Sequence, residues 1–447
     1  MKSVQSRGLR RILGVGFGLA VIIGSALGIG ILRTPGLVAA QLSSPSTILA
    51  VWIIGGVYTL VGSVCFTELG TMLPRAGGYY VYARRAFGDT VGFGVGWTDW
   101  LTYCAVLGYV SIGIGEFIAV LVPTLAGAVK VLAVAALVAF VLLQWMGLRV
   151  SSRFQEVTSA LKFCAFLALV VLCLAVSSPA MSGSSTASAA LPAATFTGFV
   201  VALQSVAITY GGWQSALYFT EEDRDPAHNL PRSMIGGVLL VIVIYLLVNV
   251  ALLAVLPMAD LARSTLPAAD AAQRVVGGRG GQIITVLSLI SLPPLLNAIM
   301  MIGTRILFAM GRDGLLWSRT AAVNARGTPG VATMVTTAVA VGLIATGTFQ
   351  RLVAVVSFFL AANYCVCCLA LIVLRRREPA LIRPFRAWGY PLSAGIVLLG
   401  AAAFVTGTLA GDTRNGVAAL VLLAVGIIGR AAVPRRASST AENAPVS

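Results

Sequence analysis

Two apolar stretches of the chain are interrupted by glycine in a way that would bare main-chain chemistry. The first reads VIIGSALGIGILRTPG (21–36), with Gly24, Gly28, Gly30 and Pro35 inside it. The second reads VALQSVAITYGGWQSALYFTEE (201–222), with Gly211 and Gly212 near its middle. Glycine weakens a helix by about 1 kcal/mol relative to alanine. A helix that stops in mid-segment leaves unpaired N–H groups at one new end and unpaired carbonyls at the other. The N–H end carries a positive partial charge and suits a carboxylate; the carbonyl end is negative and suits an ammonium group. The competing reading of either cluster is close helix packing, since small residues let backbones approach. Charged side chains in apolar surroundings are few: Lys162 in SALKFCAFLALVV (159–171), Arg33 three residues past Gly30, and the carboxylates Glu68, Asp99 and Glu116.

The elements that must position these residues follow from composition. Hydrophobic residues make up 58% of the 447 and charged residues 10%, against roughly 45–50% and 25% in soluble domains. Mean hydropathy is +0.94. So few charges cannot cover a soluble surface of this size, and nucleic-acid-binding, disordered and disulfide-stapled classes are excluded with it. The pattern predicts an all-α polytopic membrane protein with twelve spans, near 13–41, 46–72, 92–122, 127–147, 153–176, 197–220, 232–256, 281–310, 331–347, 351–374, 391–409 and 414–432. Of the Lys and Arg residues, 23 fall on one side of these spans and six on the other. This bias predicts that both termini, 1–12 and 433–447, are cytoplasmic. The seven cysteines all lie in apolar stretches without metal-site spacing, which reads as packing rather than ligation. No metal and no cofactor is expected.

The interrupted spans are the first and the sixth. Five is odd, so a five-helix unit repeated once returns upside down. Glycine-broken helices at matching positions of two such halves are the sign of an inverted-repeat carrier with its site at mid-membrane. The units would be 13–176 and 197–374, with 391–432 outside them. Span 1 would run outward and break at Gly28–Gly30, so its second half begins with free N–H groups. Span 6 would run inward and its first half would end near Thr209–Tyr210 with free carbonyls. Side by side, the two ends fit the head group of an α-amino acid.

Four motifs carry a resemblance beyond this. GSALGIGILRTP (24–35), TELGTMLPRAGGYYVYARRAFG (67–88), ITYGGWQSALYFTEEDRDPAHNLPR (208–232) and TRILFAMGRDGLLW (304–317) occur in the order found in the amino acid–polyamine–organocation superfamily of permeases. The chain resembles that superfamily, which has the LeuT-type fold. The resemblance implies a 5+5 inverted repeat plus two peripheral helices, and an amino acid held between helices 1 and 6 with helices 3, 8 and 10 near its side chain. Gly28, Ile29 and Gly30 correspond to the carboxylate loop, and Ile208, Thr209, Tyr210 and Gly211 to the amine and pocket segment. Ile208 stands where many relatives carry an aromatic lid, and Ile29 where serine is common; a backbone N–H site survives the second change, a hydroxyl contact does not. Lys162 corresponds to a fifth-helix lysine that replaces sodium by bridging carbonyls of helices 1 and 8. Its alternative is snorkelling to the cytoplasmic surface.

The remaining charges are read as coupling or gating groups. Arg33 would face an outer vestibule, pairing with Glu116 or favouring an acidic substrate; Glu116 is also a candidate proton carrier. Glu68 would pair with a cytoplasmic arginine. Glu221 and Glu222, in TEEDRDPAHNLPR (220–232), would close an inner gate through exposed ion pairs, each contributing about 0–1 kcal/mol. The expectation is a sodium-independent secondary amino acid transporter of a bacterial inner membrane, not an enzyme, with protons as a candidate coupling ion. Segment 122–130 has no cysteine, so no disulfide-linked heavy chain is expected. The alternatives are a polyamine or organic-cation carrier of the same fold, and a transporter-like amino acid sensor.

Overall fold

Backbone polar groups in hydrocarbon must be satisfied within their own segment, and the computed structural model of the chain is built from helices. It describes residues 8–42, 44–176, 195–346, 349–411 and 413–431, with no strand among them. In chain order the helices are α1 (Val15–Ala26), α2 (Ile29–Ala39), α3 (Pro45–Met72), α4 (Tyr79–Phe87), α5 (Asp89–Leu121), α6 (Val129–Trp145), α7 (Leu148–Val176) and α8 (Phe196–Thr209). A 3-10 segment, Trp213–Phe219, follows α8. Then come α9 (Pro226–Val255), α10 (Met258–Arg263), α11 (Pro267–Val276), α12 (Gly280–Arg312), α13 (Gly330–Thr346), α14 (Phe349–Arg377), α15 (Leu392–Gly411) and α16 (Thr413–Ala431).

Every apolar stretch read from the sequence meets helix within a few residues of its expected ends. Among the described residues seven helices are long and apolar enough to cross a bilayer, or eight if the bent pair α1–α2 counts as one; Gly330–Thr346, Leu392–Gly407 and Gly416–Ile428 are apolar but shorter. The pattern did not announce α4, α10 and α11, which lie between spans. The Ser- and Ala-rich segment 178–195 reads as an outer loop; all of it but its last residue lies outside the described residues, as do residues 1–7 and the tail 433–447.

Local chemistry sets the helix starts. Ser44 caps α3 by accepting from Thr47 N–H at 3.3 Å. Thr195 caps α8 through Gly198 N–H at 3.0 Å, and Asp225 caps α9 through His228 N–H at 3.4 Å. Pro45 and Pro226 occupy first-turn positions where no N–H is needed. The His228 ring also bonds Asp225, and that hydrogen bond holds the Asp225 carboxyl below its usual range. His228 is exposed, as expected of a surface residue. Several hydroxyls inside the spans bond back to their own helix, as Thr59 does to Gly55 O (2.8 Å) and Thr102 to Thr98 O (2.8 Å), which satisfies those donors within the segment.

The two glycine-rich stretches are both broken. α1 ends at Leu27, whose backbone is extended, and α2 starts after Gly28 at an angle of 47°. α8 ends at Tyr210, and Gly212 turns the chain with φ +108° into the 3-10 segment. Only Gly212 holds a conformation that disfavours a side chain; Gly28, at φ −145°, does not. A Cβ on Gly212 would also lie 2.7 Å from Ser25 C and 2.8 Å from Ala26 N, so one break is pressed against the other. Gly212→Ala should therefore destabilise the protein by about 1–3 kcal/mol. Thermal unfolding in detergent measures this, and an unchanged melting temperature would show that the contact is slack.

Candidate functional site

The site is built where the breaks meet. The Tyr245 hydroxyl, from α9, lies 2.6 Å from Ala26 O at the end of α1 and 2.9 Å from Thr209 O at the end of α8. One O–H thus serves both broken helices. Beside it, Thr34 of α2 and Thr209 of α8 share a 2.7 Å hydroxyl contact. The Tyr210 hydroxyl turns away and donates to Trp52 O at 3.1 Å.

One face of α7 holds the last turns of α1. Ser159 Oγ donates to Ala20 O at 2.7 Å, Gln155 Nε2 to the same oxygen at 3.3 Å, and Lys162 Nζ to Gly24 O at 2.9 Å. Residues 155, 159 and 162 are one and two helical turns apart, so they share a face. Behind them Asn297 of α12 donates to Gln155 Oε1 (2.8 Å) and accepts from Gln144 of α6 (2.7 Å), which fixes the face. Lys162 is fully buried, so the snorkelling alternative is overturned: its stem runs into the bundle toward α1, not to a surface. Of the bridge implied by the resemblance, the helix 1 half is present as the Gly24 contact. No hydrogen bond joins Lys162 to α12 among the described residues.

A cavity of about 210 Å³ opens next to the breaks. Ser25 of α1, Ile208 and Gly211–Ser215 floor it; Thr102, Tyr103, Val106 and Tyr109 of α5, Leu295 and Ile299 of α12, and Leu360, Ala361 and Tyr364 of α14 form walls. Helices 1, 3, 6, 8 and 10 of the expected arrangement are all represented. Two walls were not foreseen: Tyr58 and Thr59 of α3, and Gly400, Ala401 and Phe404 of α15. No Lys, Arg, His, Asp or Glu is among the lining residues. On one side Gln214 Oε1 accepts from Gly212 N–H (3.1 Å) and Tyr364 OH (3.2 Å).

The candidate binding residues divide. Ile208, half exposed, and Gly211 line the cavity; Thr209 and Tyr210 are buried in the contacts that hold the break together. Gly28, Ile29 and Gly30 lie outside its lining. No side chain caps the N-terminus of α2, and a Cβ on Gly28 would meet only Ala26 O, at 3.9 Å. Gly28 is itself buried, while Gly30 is exposed. Gly30 instead faces Thr209, whose Cγ2 would lie 3.2 Å from an added Cβ. A larger residue at Gly30 would wedge α2 from α8, a different consequence from crowding a ligand.

Arg33 and Glu116 are both exposed, and no ion pair joins them among the described residues. The expected vestibule pair is not formed, because the two groups keep access to surroundings outside the packed bundle.

At the basic end of the bundle the carboxylates are closed into ion pairs. Glu222 meets Arg305 of α12 through two 3.0 Å contacts, with both side chains buried. Arg305 also donates to Met301 O and Thr304 Oγ1, each at 3.2 Å. Glu221 binds Arg312 at 2.8 Å through both oxygens and accepts Ala76 N–H at 2.8 Å. Asp313 gathers Arg75 (3.1 Å), Arg84 (3.0 Å) and the Tyr80 hydroxyl (3.0 Å). Glu68 binds Arg375, with Nε at 2.7 Å from Oε1, and Arg383 at 3.4 Å. The chain entering α1 joins this end: Ile12 and Leu13 donate to Glu222 O at 2.9 Å, and Arg224 N–H to Leu13 O at 3.1 Å. The pairs expected for Glu68, Glu221 and Glu222 therefore have partners, but the expected exposure is wrong for Glu222. Its pair sits in the interior because Arg305 projects from the middle of a buried helix face. Arg305 and Arg312 are two turns apart, a spacing visible in TRILFAMGRDG; Tyr245, alone in an apolar span, had no such signal.

Comparison with known proteins follows the same lines. A family model described as "Amino acid permease" matches residues 18–429. The chain is 26% identical to a serine/threonine exchanger of Bacillus subtilis over 426 residues, 94% of this chain and 96% of that protein. It is 26% identical to the b(0,+)-type amino acid transporter 1 of Mus musculus over 89% of this chain and 82% of that protein. It is 29% identical to the Asc-type amino acid transporter 1 of Mus musculus over 85% and 73%.

The buried pair makes a specific prediction. Glu222→Ala strands a buried guanidinium and should destabilise the protein by about 3–5 kcal/mol. The double variant Glu222→Leu, Arg305→Met should recover most of that loss in thermal unfolding. A single variant as stable as the parent would mean that the pair is hydrated and not enclosed.

Proposed function

Because the chain belongs to the amino acid permease family, a family of membrane transporters and not of enzymes, we propose that it is a sodium-independent secondary transporter of neutral amino acids working by alternating access. The observation that carries this reading is the uncharged cavity of about 210 Å³ on the floor formed by the interrupted segments. Drug-sized ligands occupy roughly 300–1,000 Å³, so the cavity suits something smaller. A polyamine or cationic amino acid would need a carboxylate, and an acidic one a cation; neither lines the cavity among the described residues. Arg33 is therefore assigned to access and not to substrate charge. The relative named as a serine/threonine exchanger supports a neutral side chain.

In this reading the substrate carboxylate takes the uncapped N–H groups at Gly28–Gly30, and the ammonium group takes carbonyls near Ile208 at the end of α8. The twelve spans form two inverted repeats, 13–176 and 197–374, with 391–432 peripheral. Lys162 places an ammonium on α1 where a sodium ion would otherwise screen carbonyls, so no sodium is required. The basic end is cytoplasmic by the positive-inside rule, in a bacterial inner membrane. Closed ion pairs there and a cavity above them correspond to a state shut toward the cytoplasm.

The test is a thermal-shift screen followed by counterflow in proteoliposomes. A neutral amino acid at 100 times its Kd should add about 2.7 kcal/mol of stability, and the same compound should exchange across the membrane. Stabilisation by spermidine or arginine instead would overturn the neutral assignment; binding without flux would favour the sensor. Lys162→Ala should abolish counterflow while leaving the protein folded, and full exchange by that variant would remove Lys162 from the cycle.

A further inference from the structure

Among the described residues, Asp99 is a buried carboxylate that neither lines the cavity nor joins an ion pair. Asp99 of α5 is 1% exposed. No Lys, Arg or His pairs with it among the described residues. Its hydrogen bond comes from the Tyr218 hydroxyl, 2.8 Å from Oδ2. The titratable groups within reach of its charge are Tyr218 of the 3-10 segment, Tyr103 of α5, Tyr79 of α4, and Tyr364 and Cys367 of α14. The elements packed around α5 carry cations that are engaged elsewhere: Arg305 and Arg312 of α12 with Glu222 and Glu221, Arg84 and Arg85 of α4 with Asp313 and Glu378, Lys130 of α6 with Ala345 O, Arg375 of α14 with Glu68, Arg377 of α14 with Ala86 O, and Arg430 of α16 over the Phe93 ring. A charge enclosed without a partner is strongly unfavourable, and binding a proton removes it.

Two neighbours connect this carboxyl to the rest of the machine. Tyr103 sits one helical turn along α5 and lines the cavity, with its buried hydroxyl beside the Tyr218 and Gln214 side chains. Its ring meets that of Tyr218 edge-on, with centroids 5.4 Å apart. Tyr218 in turn lies three residues before Glu221 on the segment that carries the ion-paired end.

We propose that Asp99 is a proton-binding site on the transport path, loaded from the cavity past Tyr103 and sensed by Tyr218, so that one proton crosses with each neutral substrate. A hydronium in the cavity gives its proton to a carboxylate oxygen of Asp99, leaving water and a neutral carboxyl. The Tyr218 hydroxyl then changes from donor to acceptor of the shared hydrogen bond. When the ion-paired end opens, water reaches Asp99 and takes the proton on the other side. The inference rests on the transporter reading and adds a coupling ion to it.

Proteoliposomes holding an internal pH dye, given L-serine, L-threonine and L-leucine outside, separate the two. Counterflow at equal pH tests transport itself, and its absence would end both readings. The parent protein should acidify the lumen on substrate addition. With one proton per substrate, an inward gradient of one pH unit should accumulate substrate about tenfold. Asp99→Asn should keep counterflow and lose both acidification and accumulation. Counterflow by the parent without acidification, or acidification by the Asn variant, would overturn the assignment. Should the Asn variant fail to fold, Asp99→Glu decides: it should still acidify the lumen with a shifted pH dependence of uptake, and an unshifted profile would overturn the proposal.

Discussion

The structure depends on a single meeting of backbone ends. Interrupting a helix inside a bilayer strands groups that water cannot serve, and each must find a partner in the protein or wait for a ligand. Here the carbonyl ends of both broken segments are drawn to one hydroxyl, that of Tyr245. The turns of α1 just before its break are held by Ser159, Gln155 and Lys162. The N-terminus of α2 has no capping side chain. The two sides differ: Tyr245 engages Ala26 O and Thr209 O, whereas no side chain caps the N-terminus of α2, where a carboxylate would be the complementary group.

A second constraint is the closed end of the bundle. Surface ion pairs form and break for little free energy, but Glu222 and Arg305 are enclosed and bidentate. Breaking them without replacement strands two charges. In the proposed cycle, opening this end must bring in water as the pair separates, and the half-buried pairs of Glu221 and Asp313 would part first. The segment from Tyr218 to Glu222 links this end to the cavity floor and to Asp99. Motion at one would therefore be felt at the other.

Much of the fold was legible because a bilayer reduces the problem to finding apolar stretches and the places where they fail. Gly28–Gly30 and Gly211–Gly212 marked both breaks, and the clustered charges of 220–232 marked the ion-paired end. What sequence left open concerns partners distant along the chain. Tyr245 could not be distinguished from any tyrosine in an apolar helix until α9 was packed against both breaks. Thr209 and Tyr210 lie in the right segment, but the helical turn there points them into packing, while Ser25 and Gly212–Ser215 face the cavity. Arg33 and Glu116 invited pairing as lone opposite charges; in the folded chain both are exposed and unjoined. Lys162 was open between surface and interior because its helix begins among polar residues, and only the approach of α1 decides for the interior.

In the proposed function, main-chain atoms at two facing helix breaks grip the head group of an amino acid. The most direct measurement is a cryo-EM structure of the protein with its best neutral amino acid bound. Density is expected between the breaks, with the carboxylate within hydrogen-bond distance of N–H groups at Gly28–Gly30 and the ammonium group against carbonyls at the end of α8. Density bound by side chains away from both breaks, or either segment rebuilt as a continuous helix around the ligand, would contradict it.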